Sequence, residues 1–152
     1  MYAIQVSRHI RAPRSVVYRA LLDATAIAKW RVPIGMSSHV HNFNAHEGGS
    51  FRISLTYDAA SGIGKSAPNT DTYHGHFVRL VPGEKVVERF EFETSDEKLH
   101  GVMTMTTTLT DADGGTDIFV VHEGIPDGVP AADNETGMRM ALDKLARLVE
   151  EN

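Results

Sequence analysis

The stretch PAADNETGMRMALDKLARLVE, residues 130–150, carries the one long and unambiguous helical period in the chain. Met138, Ala141, Leu142, Leu145, Leu148 and Val149 recur at the three-and-four spacing of one helix face, and Arg139, Asp143, Lys144, Arg147 and Glu150 occupy the other. A stripe of that width must pack on something. Upstream, apart from a short helical patch after Pro13, the sequence alternates apolar and polar residues as strands with one buried face do, so the partner is a sheet.

Working outward, Tyr2, Ile4, Val6 and Ile10 share one parity, which marks a first strand. Pro13 ends it and suits the first turn of a helix, whose apolar side is Val16, Val17, Ala20 and Leu21. Asp23 opens a second short helix, residues 24–30, which stops before Pro33. Residues 36–43 read as a strand of mixed parity, and Gly48-Gly49 turns into a clearer one in which Phe51, Ile53, Leu55 and Tyr57 face one way. Residues 58–71 lack a period and read as a long exposed loop. Strand character resumes at Thr72, turns at Pro82-Gly83, and continues with Val86, Phe90 and Phe92 on one face; Glu88 falls on that same apolar parity. A turn at residues 94–98 leads to Leu99, Met103, Met105 and Leu109, with Thr104, Thr106 and Thr108 toward solvent. After Asp113-Gly114-Gly115, the residues Ile118, Val120 and His122 point inward.

The expected architecture is α+β: a curved antiparallel sheet of about six to seven strands wrapped around a long C-terminal helix, with two short helices after strand 1. A single domain spanning residues 1–152 is expected from the length. Composition narrows the function classes. Hydrophobic residues at 41% and charged residues at 23% fit a globular chain, not a disordered one. A net charge of −5 with no basic block argues against nucleic acid as a partner. With no cysteine, the chain has no disulfide, thiolate metal site or cysteine nucleophile. Residues 1–10 alternate instead of running apolar, so neither a signal peptide nor a membrane span is expected there, and a cytoplasmic location is the default.

The motifs IRAPRSVVYRALLD (10–23), Trp30, NAHEGGSFRISL (44–55), GHFVRLVPGEKVVERFEF (75–92), DGGTDIFVVHEG (113–124) and ADNETGMRMALDKLARLVE (132–150) cover nearly the whole chain in order. Together they resemble the START-like or Bet v 1-like (SRPBCC) helix-grip superfamily. More narrowly, the chain is similar to the group named after the carboxy-terminal domain of the activator of Hsp90 ATPase. The resemblance implies a hydrophobic tunnel between sheet and last helix. Relatives include lipid and hormone binders, polyketide cyclases and aromatases, and the co-chaperone itself. Its additional amino-terminal domain is not expected here, which ranks the co-chaperone role third, after ligand binding and an enzyme. Met138 stands where this group often has tryptophan, so a softer and wider cavity is expected.

Three groups of residues bear on chemistry. Residues 59–66, AASGIGKS, satisfy a loose phosphate-loop pattern, but that loop needs a strand before it and a helix after it, and Ala67-Pro68-Asn69 breaks a helix. It reads as a solvated loop. His39 with His41 and His74 with His76 have the spacing of imidazoles on one strand face, yet their strands are separated by another, so they read as surface residues and no metal is expected. Glu88 and His122 are the sharper candidates. A buried carboxylate needs an arginine, a histidine, water or ligand, unless a bulge turns Glu88 outward. His122 either meets a ligand, acts as acid or base, or packs satisfied by a carbonyl. If both face a cavity they form an acid and base pair. The expected binding set is Trp30, Phe51, Ile53, Glu88, Phe90, Met105, His122 and Met138, around a small hydrophobic or aromatic molecule, with no cofactor. A homodimer through an exposed apolar edge is allowed but not required.

Overall fold

The structure is a computed structural model that describes residues 1–58, 65–67 and 69–151. The phosphate-loop-like stretch falls largely on residues 59–64, outside the described residues. Strand β1 (Tyr2–Ile10) leads into helices α1 (Arg14–Leu21) and α2 (Ala24–Trp30). Strands β2 (Met36–Phe43), β3 (Ser50–Tyr57), β4 (Thr70–Val81), β5 (Lys85–Phe92), β6 (Met103–Ala112) and β7 (Gly115–Ile125) follow, and helix α3 (Ala131–Glu150) comes last. The seven strands form one antiparallel sheet in the order β1-β7-β6-β5-β4-β3-β2, so every neighbouring pair except β1 and β7 is consecutive in the chain. Among the described residues no helix is long and apolar enough to cross a membrane.

Local chemistry explains the corner after β1. Pro13 sits at the N-cap of α1, one residue ahead of the first turn. Asp23 caps α2 by accepting from the backbone N–H groups of Thr25 and Ala26. Trp30 ends α2, and its indole N–H donates to the Ala20 carbonyl at 2.9 Å, locking the two short helices together.

Helix α3 is gripped along its C-terminal half. Ala141, Leu142, Leu145, Ala146 and Val149 are buried, and they join a core that includes Ile4, Val6 and Ile10 of β1 and Val17 and Leu21 of α1. Polar contacts hold the same half in place. Arg8 Nε donates to Asp143 at 2.8 Å, the backbone N–H of Arg11 donates to Glu150 at 2.9 Å, and Lys144 Nζ donates to the Val32 carbonyl at 2.8 Å. The first half of the helix, up to Met140, contains no fully buried residue. It roofs the concave face instead of filling it.

The structure corrects some details. Leu99 is not on β6 but in a short 3-10 turn, Glu97–Leu99, where Asp96 caps the Lys98 N–H. Thr104, Thr106 and Thr108 are half-buried, because β6 is an inner strand and they stand between Arg89, Val87 and Lys85 of β5 and Glu123, Val121 and Phe119 of β7. Strand β4 begins at Thr70, two residues early, since Tyr57 N–H donates to the Asn69 carbonyl and extends the β3–β4 pairing. The mixed parity of β2 is a bulge around His41. Leu145 is wholly inaccessible to solvent. Leu145→Ala is expected to lower stability by about 2–5 kcal/mol, read as a fall in urea midpoint at unchanged slope; a loss below about 1 kcal/mol would show that the grip lies elsewhere.

Candidate functional site

Three consecutive strands place Glu88, Met105 and His122 in one line across the concave face: Glu88 is directly opposite Met105, and Met105 is directly opposite His122. Glu88 and His122 are each 4% exposed. A bulge does occur beside Glu88, but on β4, where Val78 is the extra residue and is turned to solvent while Glu88 stays inward. His122 lies two residues before Gly124, whose φ of +70° forms the irregularity opposite β1.

Arg31, the residue that closes α2, supplies the partner that Glu88 requires. Its Nη1 donates to Glu88 Oε1 at 2.7 Å, and its Nη2 lies 3.9 Å from Met105 Sδ. The guanidinium also stands 5.7 Å from the Tyr73 ring centre and 5.8 Å from that of Phe90. Burial opposes the charge on Arg31, but the adjacent Glu88 carboxylate outweighs it and holds the guanidinium above its usual value. His122 stacks on Phe90, with ring centres 5.4 Å apart. Neither of its ring nitrogens has a hydrogen-bonding partner among the described residues. Burial first, and then the charge on Arg31, push the His122 imidazole down to about 4. At neutral pH the row is therefore an ion pair and an uncharged imidazole.

This row forms the floor of a cavity of about 810 Å³ beneath the first half of α3. Trp30, Val86, Phe90, Phe92, Ile118, Val120, Met138 and Leu142 give it apolar walls. Asp96 and Asp133 are exposed lining residues and mark its mouth, together with Lys65, whose Nζ pairs with Asp71 at 2.8 Å.

Of the residues expected at the site, Trp30, Glu88, Phe90, Met105, His122 and Met138 all line this cavity. Phe51 and Ile53 do not. They share the inward parity but lie behind the wall, Phe51 inside an aromatic cluster with Phe43, Tyr73, Phe77 and Phe90. Trp30, expected near the rim, is buried. Glu88 and His122 are not a contacting acid and base pair, because Met105 stands between them and two strand spacings separate them by about 9–10 Å. Sequence reading missed Arg31 and Thr107, which also line the cavity. An inward carboxylate announces a missing cation, but nothing local says which of fifteen Lys and Arg residues answers it.

The histidine pairs lie on the surface. His39 and His41 meet edge to face at 4.5 Å on β2, and His74 on β4 sits between Glu91 and Glu93 with β3 intervening. Among the described residues, no group of three or more His, Asp or Glu could hold a metal ion.

A curved antiparallel sheet closed on a long C-terminal helix, with a cavity between them, defines a helix-grip protein of the Bet v 1-like class. Residues 11–150 match the family described as Activator of Hsp90 ATPase homolog 1-like protein, and the chain belongs to that family. It is similar to a protein from Chromobacterium violaceum whose crystal structure shares 34% identity at a TM-score of 0.88, covering 97% of this chain and 96% of that one. A Rhodobacter sphaeroides protein is 19% identical at a TM-score of 0.80, covering 99% of this chain and 93% of its own. A putative protein in the dynemicin biosynthetic locus is 21% identical at 0.67, covering 97% of this chain and 47% of that one. The last two likenesses are of fold alone. No curated protein matches the chain in sequence.

Two outcomes follow from the buried charges. Glu88→Leu leaves Arg31 unpaired and is expected to cost about 3–5 kcal/mol, most of it recovered in Arg31→Met/Glu88→Leu; equal stability of single and double variants would refute the pairing. A histidine harder to protonate folded than unfolded makes stability rise with pH. Its contribution is full above 6.5 and is lost as pH falls toward about 4. At about 1.4 kcal/mol per pH unit this amounts to about 3 kcal/mol, and denaturation of His122→Phe between pH 7 and pH 4 should show a flatter decline than the unaltered chain.

Proposed function

We propose that this protein binds a small hydrophobic or aromatic molecule between its sheet and its last helix. The observation that carries the reading is the cavity itself: about 810 Å³, walled by apolar side chains, with a buried histidine on its floor whose ring nitrogens meet no hydrogen-bonding partner among the described residues. That volume lies in the usual range for small-molecule sites, about 300–1,000 Å³. Met105 and Met138 make an adaptable wall, able to follow the shape of a guest. Trp30 and Phe90 supply flat apolar surface, and Arg31 with Glu88 and His122 supplies the few polar contacts that orient it. Phe51 and Ile53 support the wall from behind.

The family description carries a second reading, activation of an Hsp90-type ATPase. It predicts faster ATP hydrolysis by the chaperone at stoichiometric ratio, with no dependence on cavity residues. A cyclase-type activity would need Glu88 and His122 to act on separate ends of a substrate, since they do not touch.

Native mass spectrometry of the purified protein is the first test, followed by titration with N-phenyl-1-naphthylamine, an uncharged fluorescent probe. Saturable one-to-one binding is expected. Met138→Trp should weaken it by about tenfold or more by filling the roof of the cavity. Binding indifferent to that substitution, or no saturation, would place the guest elsewhere or remove it.

A further inference from the structure

We infer that the molecule this cavity selects is uncharged and carries a hydroxyl group held by His122, and that anionic amphiphiles are turned away. The inference rests on the binding reading above and narrows it to a chemical class.

The first argument is an audit of charge. Among the described residues that line the cavity, the lysine and arginine side chains are Arg31 and Lys65, and both are committed. Arg31 pairs with Glu88 at 2.7 Å, and Lys65 pairs with Asp71 at 2.8 Å while lying 5.2 Å from the Phe92 ring centre. The charged lining residues that remain are Asp96 and Asp133, both acidic and both at the mouth. The amino-terminal end of α3 would itself favour an anion, but Asp133 in its first turn already supplies that charge. A carboxylate or sulfonate entering this cavity would lose its water, pass two aspartates, and find no uncommitted cation to replace the loss.

The second argument is the valence of His122. An uncharged imidazole has one N–H donor and one bare acceptor nitrogen, and here neither has a hydrogen-bonding partner among the described residues. Burial and the Arg31 charge oppose a second proton on the ring. A carboxylate, which only accepts, could meet the N–H alone and would leave the bare nitrogen facing its negative charge. A carbonyl oxygen can answer only the N–H. A hydroxyl both donates and accepts, so it can meet whichever nitrogen the tautomer presents. The stack on Phe90 covers one face of the ring and fixes its plane, and the residue lines the cavity.

The test compares three probes with one apolar skeleton: 1-hydroxypyrene, 1-methoxypyrene and pyrene-1-carboxylate, titrated by fluorescence at pH 7. The hydroxyl compound should bind about tenfold or more tighter than the methyl ether, and the carboxylate should be the weakest. In His122→Phe the preference for the hydroxyl compound over the methyl ether should vanish. The ranking on the unaltered protein stands without that variant, should it fail to fold. A carboxylate as tight as the hydroxyl compound, or a methyl ether equal to it, overturns the inference. Failure of all three pyrenes while N-phenyl-1-naphthylamine still binds also overturns it and spares the binding reading; failure of every probe overturns both.

Discussion

The structure depends on where the last helix is held. Leu142, Leu145, Ala146 and Val149 bury the C-terminal half of α3 against β1 and α1, and Lys144, Asp143 and Glu150 fix its position by hydrogen bonds to three separate parts of the chain. A twisted sheet of seven strands is too wide for one helix to cover. Gripping the helix at one end satisfies its apolar stripe and leaves the remaining concave face roofed but unfilled. The cavity is therefore a geometric consequence of the grip. Interiors usually close such space with side chains; here the first half of α3 carries Gly137, Asn134 and Thr136 over the gap, residues too small or too polar to close it.

An ion pair inside that space is not evidence of stability. Desolvating Arg31 and Glu88 offsets most of their mutual attraction, and well-packed apolar residues would often serve as well. What the pair does is set the electrostatic state of its neighbours. Glu88 satisfies the guanidinium, and burial first, then the nearby Arg31 charge, keeps His122 from taking a proton. The polar floor thus pairs its two charges with each other, and the unpartnered His122 imidazole beside them is neutral. Met105 separates the two ends of the row by occupying the middle strand, which prevents Glu88 from orienting His122 as a carboxylate orients a catalytic imidazole.

The sequence made much of the fold legible because the relevant signals are local. The period of residues 130–150, the alternation in β1, β3, β5 and β7, and the cap at Asp23 each follow from side chains within one element. The parity of Glu88 and His122 was readable for the same reason. Parity reports which face a residue takes, however, and not whether that face is covered further along the strand. Phe51 and Ile53 share the inward face with Phe90 yet do not line the cavity: Phe51 packs among the aromatic rings, and Ile53 is wholly buried opposite Tyr73, while Leu55 and Tyr57 further along β3 do line it. Leu99 was misplaced because a capped 3-10 turn mimics the start of a strand in apolar spacing. Arg31 was invisible because its partner lies fifty-seven residues away.

That distant pairing ties the site to the grip. Arg31 closes α2 by donating its backbone N–H to the Ile27 carbonyl, which sets where its side chain begins. The next residue, Val32, gives its carbonyl to Lys144 of α3. The backbone that aims Arg31 at Glu88 is thus held from two sides, by the helix it ends and by the helix that roofs the cavity. A shift of α3 moves Val32, and a shift of Val32 moves the guanidinium that Glu88, Met105, Tyr73 and Phe90 surround. The contacts that hold the roof and the contacts that set the charge of the floor meet at one dipeptide, Arg31-Val32.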